Sequence, residues 1–316
     1  MKELIELINT GITARTSDLS MQKKVWESVT EFFRPDINLY RNTRPSVVLA
    51  RETGDLGLAV LWVVQAALAR PVLKDLTLNL ENASGISPVV SGMNDKTILS
   101  LAHSESPAAP VTYMINGEVA VINGTKKFIT AGRNSGLIMI TCRETGAPKI
   151  DRIALVNNKE LPAGAMNPLD LKIMRTIDHT SLTLNEFDLD AERLPSVDPR
   201  VIRRSVKKWG IVERALIMES FIAFLLYCEY VFSELGVTIA SDDEIISLLE
   251  KQTESASKQL EEAVFEKQIT TGNAGMEDVI KLAGRFQHAY YEKEHTIPAD
   301  EKIRLADLFL FNNLKG

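Results

Sequence analysis

Cysteine and histidine are scarce in this 316-residue chain, which has two of the first and four of the second. Cys142 and Cys228 stand 86 residues apart in apolar or mixed segments. They lack both metal-ligand spacing and the density of a disulfide framework, so they read as buried thiols of a reducing compartment, and the chain is expected to be cytoplasmic. His103, His179, His288 and His295 include no pair at ligand spacing, so no metal site is expected. There is no excess of positive charge: the formal net charge is -6 and the isoelectric point about 5.5, so no global field concentrates nucleic acid. Long apolar runs are missing too. The most apolar stretch, Leu56 to Ala69 (LGLAVLWVVQAALA), covers about two thirds of a bilayer core at roughly 1.5 Å per residue, which predicts a buried core helix and no membrane span. The N-terminal MKELIELINTGITAR is amphipathic and acidic, unlike a signal peptide.

What is present changes character twice along the chain. Up to about residue 97 the pattern is helical. Ser20 is placed to cap MQKKVWESVTEFF, which Pro35 stops, and Pro45 opens a helix that Pro71 ends, with a further helix from Leu73 to about Leu80. From Ile98 to Pro195 short β-branched or alternating runs follow one another (ILSLA, VTYMI, EVAVI, KKFIT, LIMITC, RIALV, SLTLNEFDL), which are strands. Asn116-Gly117 predicts a tight hairpin and Asn123-Gly124 a second reversal. Helical periodicity then returns: Ile202, Val206, Trp209, Val212 and Leu216 share a face, and ESFIAFLLYCEYVF is apolar nearly all round until Gly236. A second long helix follows Ser241, and a third spans about Gly275 to His295. The expected fold class is α+β and multidomain, with an N-terminal helical domain (1–97), a middle antiparallel β-barrel or sandwich (98–195) and a C-terminal helical bundle (196–316).

Four segments of the β-region resemble the acyl-CoA dehydrogenase family, in the family's order. Val121 to Gly132 (VINGTKKFITAG) is similar to its Asn-Gly-Thr-Lys, two residues, Ile-Thr, Asn, Gly pattern, and Leu101 to Ser106 (LAHSES) to its strand ending in Thr-Glu-Pro. LVNNKELPAGAM resembles its Val-Pro, spacer, Pro-Gly segment, and LKIMRTIDHTSLTLNEFDL its Lys-Met-Gly, Arg, Thr, hydrophobic, Phe segment. The resemblance implies an FAD site in which the flavin ring lies against the β-domain. It places Leu101, His103, Ser104, Phe128, Ile129 and Thr130 at the cofactor, Ser104 on the pyrimidine edge, Thr130 on the reactive ring nitrogen, and Phe128 with Ile129 as an apolar wall.

The same resemblance exposes what this chain has replaced. The family's Gly-Ser-Asp loop reads SESPAAPVTYM here, without glycine and with Pro107 and Pro110 removing backbone donors. Phe232 stands where the family carries an arginine for the cofactor pyrophosphate. No carboxylate occupies either of the family's two base positions; in PRVIRRSVKKWGIVERA the nearest, Glu213, comes two to three turns late, so no catalytic residue is assigned. These losses imply a degenerate homologue acting as a binding or assembly subunit. The alternatives are an active FAD-dependent acyl-CoA dehydrogenase-type oxidoreductase or a flavin-dependent oxygenase. A homo-oligomer is expected, because ESFIAFLLYCEYVF offers more apolar surface than a short bundle covers, and an acyl-CoA or another acyl thioester is the implied ligand. Finally, Arg200, Arg203, Arg204, Lys207 and Lys208 share one helix face opposite the apolar one, a stripe that repels itself unless salt bridges or an anionic partner meet it.

Overall fold

A computed structural model describes residues 1–33, 45–80, 87–265, 269 and 276–313. Its helices are α1 (Lys2–Asn9), α2 (Ile12–Arg15), α3 (Leu19–Phe33), α4 (Pro45–Thr53), α5 (Leu56–Val64), α6 (Arg70–Leu78), α7 (Ser87–Ser91), α8 (Pro199–Glu234), α9 (Asp242–Val264), α10 (Met276–Lys293), α11 (Ala299–Leu305) and α12 (Leu310–Asn313). Between α7 and α8 lie the strands β1 (Leu99–Ala102), β2 (Thr112–Asn116), β3 (Val119–Thr130), β4 (Leu137–Glu144), β5 (Arg152–Asn157), β6 (Met166–Pro168) and β7 (His179–Asp190). Two compact units result: Met1–Val63 with Leu171–Ile177 and Ile211–Gly316, and Val64–Asp170 with Asp178–Gly210.

The first unit is helical. Trp62 packs against Trp26 and Phe33 at ring-centroid distances of 6.1 and 5.6 Å, and Phe232 against Phe286 at 6.1 Å. The segment expected to leave apolar surface open is instead covered. Phe221 to Leu225, Cys228 and Phe232 are fully buried, helped by Gln252 of α9, whose side chain donates to the Ala215 carbonyl at 2.8 Å; of this run Tyr230 stays mostly exposed. The expectation of an oligomer therefore rests on the resemblance alone.

The second unit holds the sheet, in the order β1-β4-β2-β3-β7-β6 with β5 on the far side of β4. It is mixed, which corrects the expectation of an antiparallel domain: β1 and β2 both run parallel to β4. Consecutive short strands suggest hairpins, and β2–β3, β4–β5 and β6–β7 do pair antiparallel with their neighbours in the chain, while β1 reaches β4 across two intervening strands. Ile122, Ile129, Ile138, Ile140, Leu182 and Leu184 centre its core.

Four local expectations change for identifiable reasons. Asp18, not Ser20, caps α3, its carboxylate accepting from the Ser20 and Met21 amides at 2.8 and 3.2 Å; Pro35 lies outside the described residues. The helix opened by Pro45 breaks at Gly54, which is left-handed (φ 64) and so close to the Tyr227 ring that a Cβ would sit 2.3 Å from it, and Asp55 then caps α5 through the Leu58 amide at 2.9 Å. Pro71 does not end the next helix. Gln65–Ala69 form a π-helical turn just before it, with the Arg70 amide reaching back to the Gln65 carbonyl, and this wider turn admits a residue that has no amide hydrogen. Leu56–Leu78 is thus continuous and, like Pro199–Glu234, long and apolar enough to cross a membrane by length and composition, but 89% and 78% of their most apolar windows are buried inside the protein, as in core helices. Asn123-Gly124 makes no reversal: it sits within β3 at a register shift, where Gly124 (φ 125) leaves no room for a Cβ, 2.4 Å from the Pro110 carbonyl oxygen.

A buried ion pair fastens the helical unit. Arg15 and Asp55, both without solvent exposure, meet at 2.6 Å; Arg15 also donates to the Ile8 carbonyl, and Asp55 accepts from the Thr176 hydroxyl at 2.6 Å. Removing one partner strands the other charge in the core. Arg15→Met is expected to cost about 3–5 kcal/mol in urea unfolding, and a loss below about 1 kcal/mol would show the pair to be dispensable.

Candidate functional site

Strands β1 and β3 bring the six sequence-predicted site residues alongside each other. The Ser100 hydroxyl donates to the Thr130 carbonyl at 2.8 Å, and the Lys127 amide donates to the Ser104 carbonyl at 2.8 Å, so the stretch 101–104 runs beside 127–130. Leu101 pairs with Met139 of β4, while His103 and Ser104 lie past the end of β1 and are exposed. Phe128 occupies the left-handed region (φ 56) at the bulge between Lys126 and Ile129 and is 62% exposed. Ile129 is fully buried in the sheet core. Phe128 and Ile129 therefore do not form one apolar wall: the side chain of Ile129 packs inward, away from the exposed Phe128. Thr130 is half-buried.

The chemistry of this corner is dominated by an ion-pair network that the sequence reading did not assign. The fully buried Lys126 ammonium donates to Glu105 Oε2 at 2.5 Å, to Thr141 Oγ1 at 3.0 Å and to the His103 carbonyl at 3.3 Å. The other oxygen of Glu105 takes Arg143, and Oε2 also accepts the Val111 amide at 3.0 Å. Desolvation works to raise the Glu105 carboxyl, but hydrogen bonds from Lys126 and the Val111 amide outweigh it and hold the group below its ordinary value. Burial lowers the Lys126 ammonium, and Glu105 opposes that shift. His103 keeps exposed surface as a residue, but its ring, 3.2 Å from Thr141 through Nδ1, is packed closely enough that desolvation, and then Lys126, lower its pKa while Glu105 opposes. The signal in the sequence was the pairing of Glu105 with the lysine of Asn-Gly-Thr-Lys, two motif residues with opposite charge.

Beyond Thr130 the backbone is clipped to β7. Ala131 (φ 55) donates to the Asp178 carbonyl at 2.6 Å, and the buried Asp178 carboxylate takes the Arg133 amide at 3.0 Å and its guanidinium at 2.5 and 2.8 Å. Gly132 lies against Thr180, whose hydroxyl would be 2.1 Å from an added Cβ. His179 pairs with Thr130 across the ladder and is buried, which lowers its imidazole to about 4 and leaves it neutral at pH 7.

Other candidates fall elsewhere. Burial pushes Glu213 of α8 up to about 7, with Arg214 opposing, in the helical unit. Phe232 is a core residue. Cys142 and Cys228 are buried thiols, and burial raises Cys142 to about 12. Among the described residues no three His, Cys, Asp or Glu side chains group as a metal site. A cavity of about 690 Å³ in the helical unit, lined by Arg51, Tyr227, Glu229, Tyr230 and Asp242 among others, contains none of the predicted site residues.

No family model and no curated protein matches this sequence. Solved structures do. The chain superposes on the electron transferring flavoprotein of Acidaminococcus fermentans with a TM-score of 0.67 at 13% identity, covering 97% of this chain and 90% of the other. For the prolyl acyl carrier protein oxidase AnaB the values are 0.67, 14%, 98% and 94%, and for butyryl-CoA dehydrogenase from Megasphaera elsdenii 0.63, 13%, 97% and 89%. The chain has the acyl-CoA dehydrogenase fold. Identity this low establishes the architecture and not the activity.

Within the acyl-CoA dehydrogenase fold, the residues present fit the two ends of FAD unequally. An exposed hydroxyl on Ser104 and the exposed Phe128 are compatible with the edge and face of a flavin ring. For the diphosphate the fit fails. In the 105–111 loop the amides of Ala108, Ala109 and Val111 are already used, on the Ser106 hydroxyl, the Ser106 carbonyl and Glu105, while Pro107 and Pro110 have none. Phe232 is closed into the helical core and offers no charge.

Two predictions concern this corner. Lys126→Met leaves Glu105 short of its buried partner and is expected to cost about 3–5 kcal/mol. The double variant Glu105→Gln/Lys126→Met should cost less than the sum of the singles by at least about 1 kcal/mol in urea melts, whereas strict additivity would dissolve the network as a unit. His179 has its pKa depressed from 6.5 to about 4 in the fold, so its contribution is present above pH 6.5 and is lost as pH falls to about 4. It should account for about 3 kcal/mol of acid destabilisation across that window, and the pH dependence of His179→Gln should be flatter by that amount. Parallel stability curves for the two proteins would contradict this assignment.

Proposed function

We propose that this chain is a non-oxidising protein of acyl-CoA dehydrogenase fold that works as a binding or assembly subunit. The observation that carries the reading is the state of the carboxylates around the Thr130 strand: Glu105 is held by Lys126, Arg143 and the Val111 amide, and Asp178 by Arg133. Abstraction of an α-proton needs a carboxylate free to approach the substrate carbon, within about 2.6–3.2 Å, and neither group has that freedom. The mismatch between the 105–111 loop and a diphosphate supports the same conclusion from the cofactor's side. Cytoplasmic placement, self-association and an acyl thioester ligand remain part of the proposal through the resemblance.

The second reading is an FAD-dependent oxidoreductase or oxygenase, and the exposed Ser104 and Phe128 favour it. Structures of this fold include one described as an FAD-dependent dehydrogenase. FAD supplies hydride or oxygen chemistry where it is bound.

The purified protein, given FAD, a dye acceptor and acyl-CoAs of short, medium and long chain, is expected to show no turnover above background. Loss of a general base alone removes about 10²–10⁴ in rate. Turnover that disappears in Thr130→Val would overturn the proposal and place a working flavin at this strand.

A further inference from the structure

The stripe at the start of α8 is almost entirely unneutralised. Of its five cations Lys208 has a carboxylate partner, Asp75 at 2.9 Å, and lies over the Trp209 ring. Arg200, Arg203, Arg204 and Lys207 are exposed, and among the described residues none of them forms an ion pair. Arg203 donates to the Ile150 carbonyl at 2.8 Å, which ties the β4–β5 turn to the helix and brings the exposed Lys149 into the same neighbourhood. Spacings of three and four residues set these charges on one face over about 10 Å, where they repel one another.

We propose that this face docks the acidic side of an α-helix of a partner protein. The occupant follows from charge, size and surroundings. Cations at 200, 203, 204 and 207 repeat at helical spacing, so carboxylates at the same spacing on a partner helix meet them pairwise. A long polyanion fits less well: the chain has net charge -6 with this patch included, so the remaining surface repels a polymer that extends more than a Debye length, about 8 Å, beyond it. No large exposed hydrophobic side chain lies in 143–153 or 199–210 among the described residues, so the patch offers neither a stacking platform for bases nor a wedge for a bilayer. The inference is independent of whether a flavin is held.

The test uses the full chain and a fluorescent synthetic helical peptide with glutamates at i, i+3, i+4 and i+7. A peptide of the same composition with its glutamates spread around the helix, a single-stranded oligonucleotide and phosphatidylserine vesicles serve as comparisons. The striped peptide should bind at least about tenfold tighter than the spread one, and binding should weaken about tenfold in Arg200→Gln/Arg204→Gln/Lys207→Gln, with circular dichroism confirming that the variant is folded. A second variant, Lys149→Gln, should weaken binding by a smaller factor. Equal affinity for the two peptides, tighter binding to the oligonucleotide or vesicles, or an unaffected triple variant would overturn the proposal.

Discussion

The contact between Lys126 and Glu105 is the constraint on which the candidate site depends. A fully buried ammonium is tolerable only with its hydrogens matched, and Lys126 meets that condition with a carboxylate, a threonine hydroxyl and a backbone carbonyl. Lys126 stands on β3 and its partners come from β4 and the segment after β1, so a single charge fixes where His103 and Ser104 leave the sheet. Arg143 closes the other side of Glu105. The arrangement gives a well-defined corner in which Glu105 is a structural member, both of its oxygens being taken by protein donors.

The helical unit follows the same rule with different residues. Asp55 joins Arg15 to Thr176, and the buried Asp307 accepts the amide of Met174, whose left-handed backbone (φ 49) is thereby held. Burial raises the Asp307 carboxyl well above its usual range, with Asp55 adding to the shift. Glu229 likewise receives the amides of Ile239 and Ala240 after α8. Acidic side chains in this protein thus hold backbone in place.

Much of this was legible in the sequence and some was not. The switch of period at Ile98 and again after Pro195 marked the strands, because alternation and helical spacing are local signals, and Asn116-Gly117 marked its hairpin. The Asn-Gly-Thr-Lys and Thr-Glu-like motifs pointed to two segments that the fold places side by side. Parallel pairing of β1 and β2 with β4 was not readable, since it joins residues distant in sequence and leaves no local trace. Asn123-Gly124 looked like a turn because glycine tolerates positive φ in a bulge as well as in a hairpin, and only the Pro110 carbonyl against Gly124 distinguishes the two. Pro71 misled for a related reason: a π turn preceding it has no periodic signature. The inward side chain of Ile129 was hidden by the bulge at Phe128, which shifts the face of every residue after it.

If, as proposed, the protein is not an oxidising flavoenzyme, its fold is held by its own ion pairs and it retains no flavin. The visible absorption spectrum of the purified protein, recorded before and after incubation with excess FAD and desalting, tests this most directly. A folded, colourless protein that retains no flavin is predicted. A yellow protein with stoichiometric FAD that survives desalting would contradict the account.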